Sequence, residues 1–259
     1  MSALRVSVRR CALALATVTV GLCTGACAES DDATAASEQA AGFNVTGRTY
    51  RLDAAIQYEL PDVLREISGL TLANGTDLYG HDDEQSIIYQ IDYRGGRILR
   101  RFALEGGLRA DFEGIAWLAG RLYLTTSAGQ LFEFHPGAAN AVVPYQVHTS
   151  GLDCEVEGLT GSSGQTGLIA ACKNRPGGKK ALHLHDWRPG SAEWSEAPAI
   201  RIRRSQFDAA FARLNRDRPE KFQPTAITTT PEGHLLMIAG PQKVLLEFTA
   251  EGVPLAAAL

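Results

Sequence analysis

The sequence predicts an all-β fold, a β-propeller of the five- or six-bladed type with one helical insertion. Three observations carry that expectation. The first is a recurring word: Glu66-Ile-Ser-Gly-Leu-Thr71, Asp111-Phe-Glu-Gly-Ile-Ala-Trp117 and Glu155-Val-Glu-Gly-Leu-Thr160 align on Gly69, Gly114 and Gly158, which stand 45 and 44 residues apart. A fainter copy, Gln223-Pro-Thr-Ala-Ile-Thr228, puts Ala226 where the glycine was. The second is that two short apolar runs follow each copy, as in Arg121-Leu-Tyr-Leu-Thr125 and then Gln130-Leu-Phe-Glu-Phe134. The third is the period itself, since a repeat in the forties with several short strands per unit is the pattern of a propeller blade.

Composition agrees with a folded domain. Of 259 residues, 45% are hydrophobic and 21% charged, and the net charge of −4 gives no reason to expect nucleic acid as a partner. Residues 1–28 stand apart. Arg5, Arg9 and Arg10 precede the apolar run from Cys11 to Leu22, and small residues follow, which is the order of an export signal. The run is short for a membrane span, so the mature chain is expected to have no transmembrane helix. Two cleavage readings stay open. Ala26-Cys-Ala28 fits a site releasing a soluble protein at Glu29, whereas Gly25-Ala26-Cys27 resembles a lipobox that would lipidate Cys27 and anchor the chain to a bacterial membrane. Either way the protein is expected outside the cytoplasm, periplasmic, lipid-anchored or secreted. Residues 29–43 then read as a polar linker and 44–259 as the propeller domain.

Export leaves Cys154 and Cys172 in an oxidising compartment. Folding the intervening segment about Gly161-Ser-Ser-Gly-Gln-Thr-Gly167 brings the two roughly opposite. A disulfide there would contribute about 3 kcal/mol, and two buried thiols are the alternative.

Taken in order, residues from Thr46 to Tyr58 alternate as a strand that would complete the last blade. The first blade, about Glu66 to Leu104, holds the polar cluster His81-Asp-Asp-Glu84 and a tight turn at Asp92-Tyr-Arg-Gly-Gly96. His81 with Asp82 or Asp83 could make an acid/base pair, although a surface turn is the plainer reading. In the second blade Trp117, Leu122, Tyr123, Leu124, Leu131, Phe132 and Phe134 read as core. The third is interrupted after Lys173. Ser205 to Arg216 carries Phe207, Phe211 and Leu214 at helical spacing, with Ser205 as N-cap. Arg201, Arg203, Arg204, Arg213, Arg216, Arg218 and Lys221 make this region basic, which reads as a solvated face before it reads as a docking surface. After the fourth unit the chain is expected to end short of a complete ring.

These words resemble the SdiA-regulated domain family of exported, phytase-like propellers. Glu66-Ile-Ser-Gly-Leu-Thr71, Leu78-Tyr-Gly-His-Asp-Asp-Glu84, Asp111-Phe-Glu-Gly-Ile-Ala116, Val156-Glu-Gly-Leu159 with Leu168-Ile-Ala-Ala-Cys-Lys173, and Phe222-Gln-Pro-Thr-Ala-Ile227 occur in the family's order. The family's further Pro-Glu-Gly-Ile-Ala blade is missing here. The resemblance implies five or six blades and a divalent cation at the channel.

The residues themselves point the same way. Glu66, Asp111 and Glu155 share one repeat position, and Ser68, Glu113 and Glu157 share another two residues on, hence on one face of a strand. If the leading strands are innermost, Glu66, Asp111, Glu113, Glu155 and Glu157 converge at the channel mouth. Ca²⁺, with its six to eight oxygen ligands, is the simplest compensation for such charge. The alternative is that each carboxylate caps a neighbouring turn. Two functions follow: a binding or structural propeller with a calcium site, taking a small-molecule or protein ligand at the mouth, or a metal-dependent hydrolase of phosphoesterase or lactonase type. A phosphate enzyme would also need Lys173, Arg175, Lys179 or Lys180 at the same mouth. No nucleophile elbow or phosphate loop is readable.

Overall fold

The computed structural model describes residues 56–149, 151–174, 181–213, 217, 220 and 222–258, and the backbone course of 43–45 and 48–50. The export segment with Cys27, the linker up to residue 42, and Arg175, Lys179, Lys180, Leu214, Arg216, Arg218 and Lys221 lie outside the described residues. Among the described residues no helix is long and apolar enough to cross a membrane.

Each of the four sequence units folds as one antiparallel sheet. After β1 (Phe43–Val45) and β2 (Arg48–Tyr50), blade 1 consists of β3 (Ile67–Ala73), β4 (Asp77–Asp82), β5 (Ile87–Asp92) and β6 (Arg97–Leu104). Blade 2 contains β7 (Phe112–Leu118), β8 (Arg121–Thr126) and β9 (Leu131–Phe134). The chain then lends β10 (Val142–Val143) to the outer edge of blade 1, parallel to β6, before β11 (Tyr145–Val147) completes blade 2 against β9. Blade 3 is β12 (Glu155–Gly161), β13 (Leu168–Asn174), β14 (Ala181–Trp187) and β15 (Ile200–Arg203). Blade 4 is β16 (Ala226–Thr229), β17 (Leu235–Ala239), β18 (Val244–Phe248) and β19 (Pro254–Ala258). Where five or six blades are expected, the described residues form four, one for each recurring word.

Turns obey local chemistry. The Asp92 carboxylate accepts the Gly95 N–H at 2.9 Å, and Gly96 takes a φ of 62° that a side chain would resist.

The leading strands lie side by side in chain order: β3 by β7, β7 by β12, β12 by β16. Between them the sheets pack face to face. Tyr79, Ile88 and Phe102 of blade 1 meet Phe112, Leu122 and Phe132 of blade 2. Tyr123 and Leu131 meet Val156, Leu168 and Trp187 at the second seam, and Leu182, Leu184 and Ile202 meet Met237, Leu246 and Phe248 at the third. Each such side chain contributes about 1.5–3 kcal/mol when fully buried.

The recurring glycine sets how close these seams are. A Cβ on Gly114 would stand 2.8 Å from both the backbone N and the Cβ of Leu159, and one on Gly158 would stand 3.0 Å from the Ile227 backbone N. One on Gly69 would stand 2.6 Å from the His81 ring and 3.2 Å from the Ile115 N. Each glycine therefore faces the residue just after the glycine position of the next blade. The fourth unit has no next blade among the described residues, and there the position is Ala226, exposed.

Two expectations are corrected. Of the strand placed from Thr46 to Tyr58, Arg48–Tyr50 forms β2 in a short hairpin with β1, and residues 56–58 lie outside any strand; among the described residues β1 lies beside β19 and is paired with β2. Ser205 is not an N-cap. It sits inside a 3₁₀ turn, Arg204–Phe207, whose entry is held by the Gln206 side chain accepting the Arg203 N–H at 2.7 Å. α1 (Asp208–Arg213) follows, and Phe207 and Phe211 pack on Phe222 as the spacing foretells. Arg201 and Arg203 are exposed on β15, where charge blunts a sheet edge.

Candidate functional site

The start of three of the four leading strands is irregular in the same way. The β3–β4 register skips between Ile67 and Gly69, the β7–β8 register between Phe112 and Gly114, and the β12–β13 register between Val156 and Gly158. Ser68, Glu113 and Glu157 are the extra residues of three β-bulges. A bulge breaks the ladder and re-aims its side chain. Thr225 holds the position in the fourth unit; it precedes β16, and its N–H and hydroxyl both donate to the Ile238 carbonyl.

Backbone bonds tie these starts together. The Asp83 N–H donates to the Glu66 carbonyl, and the Phe112 N–H donates to the Asp83 carbonyl. One blade on, Ser127 repeats both bonds with Asp111 and Val156.

The three bulge residues meet across the seams. The Ser68 hydroxyl donates to Glu113 Oε2 at 3.3 Å. Lys173, on β13, pairs with the Glu157 carboxylate and lies 3.2 Å from Glu155. Burial, then the Glu157 and Asp111 charges, push the Glu113 carboxyl up to about 7, against the opposing pull of Ser68 and Lys173. Glu157 is 8% exposed, and burial raises its carboxyl despite the bonded Lys173.

The five carboxylates predicted to converge are therefore placed unequally. Glu113, Glu155 and Glu157 face one corner with Lys173, and Asp111 acts on Glu113 through its charge. Glu66 and Asp111 are exposed. Among the described residues no three His, Cys, Asp or Glu side chains stand grouped as for a metal ion.

A disulfide joins Cys154 and Cys172, Cα atoms 5.7 Å apart. Each cysteine immediately precedes a member of the corner, Glu155 or Lys173, so the bond fixes the two chains that carry the ion pair.

Two polar groups outside the corner are accounted for by packing. His81 is no surface residue: it is fully buried, and its Nδ1–H donates to the Asp82 carbonyl, not to a carboxylate. Burial lowers it to about 4, and Nε2 packs against Gly69 without a hydrogen-bond partner. The Asp82 carboxylate instead accepts the N–H groups of Glu84 and Gln85. On blade 2, Glu133 bonds both Arg121 and His148, whose ring lies 4.8 Å from that of Trp187. The buried Glu133 carboxylate is thus satisfied by an exposed arginine and a partly buried histidine.

Sequence reasoning missed Ser68 and Lys173 as partners of the acidic set. Ser68 was legible as the non-acidic member of an otherwise acidic repeat position. Lys173 had no such signal, because cysteines set directly opposite would place it across from Asp153, whereas Cys172 lies opposite Val156.

The order of sheets and the adjacency of their leading strands define an all-β array of the β-propeller type. No family model matches the chain, and no curated protein matches it. Solved structures similar to it include the β-propeller domain of Cps50 (Swd1) from Myceliophteria thermophila, at 14% identity and a TM-score of 0.41, over 78% of this chain and 58% of that one. A virginiamycin B lyase from Staphylococcus aureus is similar at 11% identity and a TM-score of 0.44, over 73% and 54%. Myxococcus xanthus glutaminyl cyclase is similar at 17% identity and a TM-score of 0.49, over 78% and 77%. The chain thus spans little more than half the length of the first two. At these identities the likeness concerns fold alone.

Proposed function

We propose that this chain is an exported binding propeller of the SdiA-regulated type, and that its corner at Ser68, Asp111, Glu113 and Glu157 accepts a positively charged ligand group. The observation that supports this is Glu113. Its neighbours leave its charge under-compensated, so its carboxyl is pushed up to about 7, and a cation would relieve it. Calcium is the first cation to try, because the side chains offer oxygen alone and Ca²⁺ completes its shell with water and backbone carbonyls. Glu113 and Asp111 would hold it; Glu155 and Glu157 are already engaged by Lys173. Export is supported by the N-terminal pattern and by the need of Cys154–Cys172 for an oxidising compartment.

The melting temperature with calcium and with chelator tests the site, since a ligand specific to the folded state raises it. Calcium is expected to stabilise the native protein and to leave Glu113→Gln unmoved; equal melting with calcium and chelator would remove calcium from the reading. Without ligand, pH separates the same two proteins. A carboxyl raised in the folded state gives stability that is complete below its unfolded pKa and is lost as pH rises through about 7. Glu113→Gln should therefore match the native protein near pH 4 and melt above it near pH 8. Calcium-dependent turnover of a phosphomonoester or a lactone would move the protein to the hydrolases instead. The mass of the mature N-terminus, lipidated at Cys27 or starting at Glu29, checks the export arm.

A further inference from the structure

In blades 1, 2 and 3 the leading-strand glycine pairs with one residue of the second strand: Gly69 with His81, Gly114 with Thr125, Gly158 with Ala171. All three partners are fully buried. The Thr125 hydroxyl donates to the carbonyl of the next residue, Thr126, and His81 Nδ1–H donates likewise to the Asp82 carbonyl at 2.9 Å. A carbonyl only accepts, so Nδ1 carries the hydrogen and Nε2 keeps a lone pair. Nε2 has no hydrogen-bond partner, and a Cβ on Gly69 would stand 2.6 Å from it and 3.2 Å from the Ile115 N of blade 2.

The closed seam has no place for a proton on that atom. It would leave a buried N–H and a positive charge with no acceptor. Around the ring stand Gly69 of β3, Ile88 of β5 and, edge-on at 6.5 Å, the Phe112 ring of β7. Every charged or titratable neighbour is committed or makes no bond to the ring. The Asp82 charge acts on it, but that carboxylate accepts the Glu84 and Gln85 N–H groups. Tyr79, on the same face of β4, is bonded by Arg100, and Tyr89 follows Ile88 on the opposite face of β5. Asp83 is tied through its backbone to Glu66 and Phe112, Glu66 is exposed, and Asp111 and Glu113 flank Phe112 without reaching the ring.

We infer that His81 is a proton-sensitive latch between blades 1 and 2: the seam closes on a neutral imidazole, and a proton on Nε2 opens it while the other seams stay shut. Those seams carry a hydroxyl and a methyl at the same place, which do not titrate. Ser68 precedes Gly69 and Glu113 follows Phe112, so opening also parts the Ser68–Glu113 pair. Release of a corner ligand by acid would rest on the cation reading; the latch itself does not.

The direction follows from linkage. Burial lowers His81 from its ordinary 6.5 to about 4. An imidazole depressed on closure gives stability that is whole above the open-state value and is lost as pH falls toward the closed-state one. Glu113 contributes with the opposite sign, so the native protein is compared with a variant that differs only at His81.

Amide hydrogen exchange with chelator present tests the latch. The Phe112 N–H donates to the Asp83 carbonyl, and the Val156 N–H donates to the Ser127 carbonyl at the equivalent place one blade on. Between pH 6.5 and 4.5, protection of Phe112 relative to Val156 should fall about fortyfold more in the native protein than in His81→Thr, which copies blade 2. His81→Asn, which keeps a donor for the Asp82 carbonyl, should behave as His81→Thr does and replaces it should the threonine fail to fold. The same pH response in native and variant proteins would overturn the latch. So would equal loss at both amides, since the chain would then open as a whole. The native ring reports without any variant: Nε2 should remain bare at pH 5.5, and ordinary titration near 6.5 would equally refute the inference.

Discussion

Gly114→Ala is expected to destabilise the protein by about 2–3 kcal/mol, the upper range for one carbon forced into a closed contact. The glycine lies in β7 at the middle of the array, and its missing Cβ would stand 2.8 Å from the Leu159 backbone N and from the Leu159 Cβ. Neither atom is the free end of a side chain, so no rotamer change makes room. The seam between blades 2 and 3 must widen, which loosens Val156, Leu168 and Trp187 against Tyr123 and Leu131. The melting temperature should fall by about 5–10 °C for a domain of this size. At Gly69 the tightest neighbour is the His81 ring, which can yield slightly, so Gly69→Ala should cost less. Ala226→Gly makes the opposite change in the unit that has no next blade among the described residues, and should cost only the entropy of a strand glycine, about 0.5–1 kcal/mol. Equal melting of Gly114→Ala and the native protein would show that the recurring glycine is not what sets blade spacing.

The contrast between Gly114 and Ala226 shows what was legible in the sequence and why. The recurring words marked one strand per blade, and they did so because the glycine answers to a local steric demand repeated at fixed spacing. The count of five or six blades rests on a resemblance alone; the recurring words number four, and the described residues form one blade for each. The site was read less well. Alignment placed Glu66, Asp111 and Glu155 in one column and treated them as equals, yet only Glu155 meets a partner in the corner. Whether a carboxylate at a strand start faces inward depends on the bulge beside it, and a bulge leaves no residue signature beyond the glycine that follows. The sequence points to Lys173 only beside Arg175, Lys179 and Lys180, as a cation that a phosphate site would need. Lys173 belongs to β13, which pairs directly with the strand that carries Glu157, and there Cys172 lies opposite Val156 and not opposite Cys154.

Lys173→Met is the sharper test of the corner. Glu157 is 8% exposed, and its carboxylate is tolerated there because the Lys173 ammonium bonds it. Removing the ammonium leaves burial and the Glu155 charge, both of which raise the carboxyl further. The group must then take up a proton or remain as an uncompensated buried charge. Breaking a buried pair from one side costs about 3–5 kcal/mol, and about 2 kcal/mol is expected here because the lysine side chain is partly open to water. The pH dependence carries the sign. With its folded pKa raised above the unfolded value, Glu157 supports the variant fully below the unfolded pKa and withdraws that support as pH rises through the folded one. Lys173→Met should thus melt near the native protein at pH 4 and far below it at pH 8. Adding Glu157→Gln should recover most of the loss, since an amide needs no counter-charge. A deficit that is the same at both pH values, or that Glu157→Gln does not repair, would mean that Lys173 acts through packing of its stem and not by compensating the Glu157 charge.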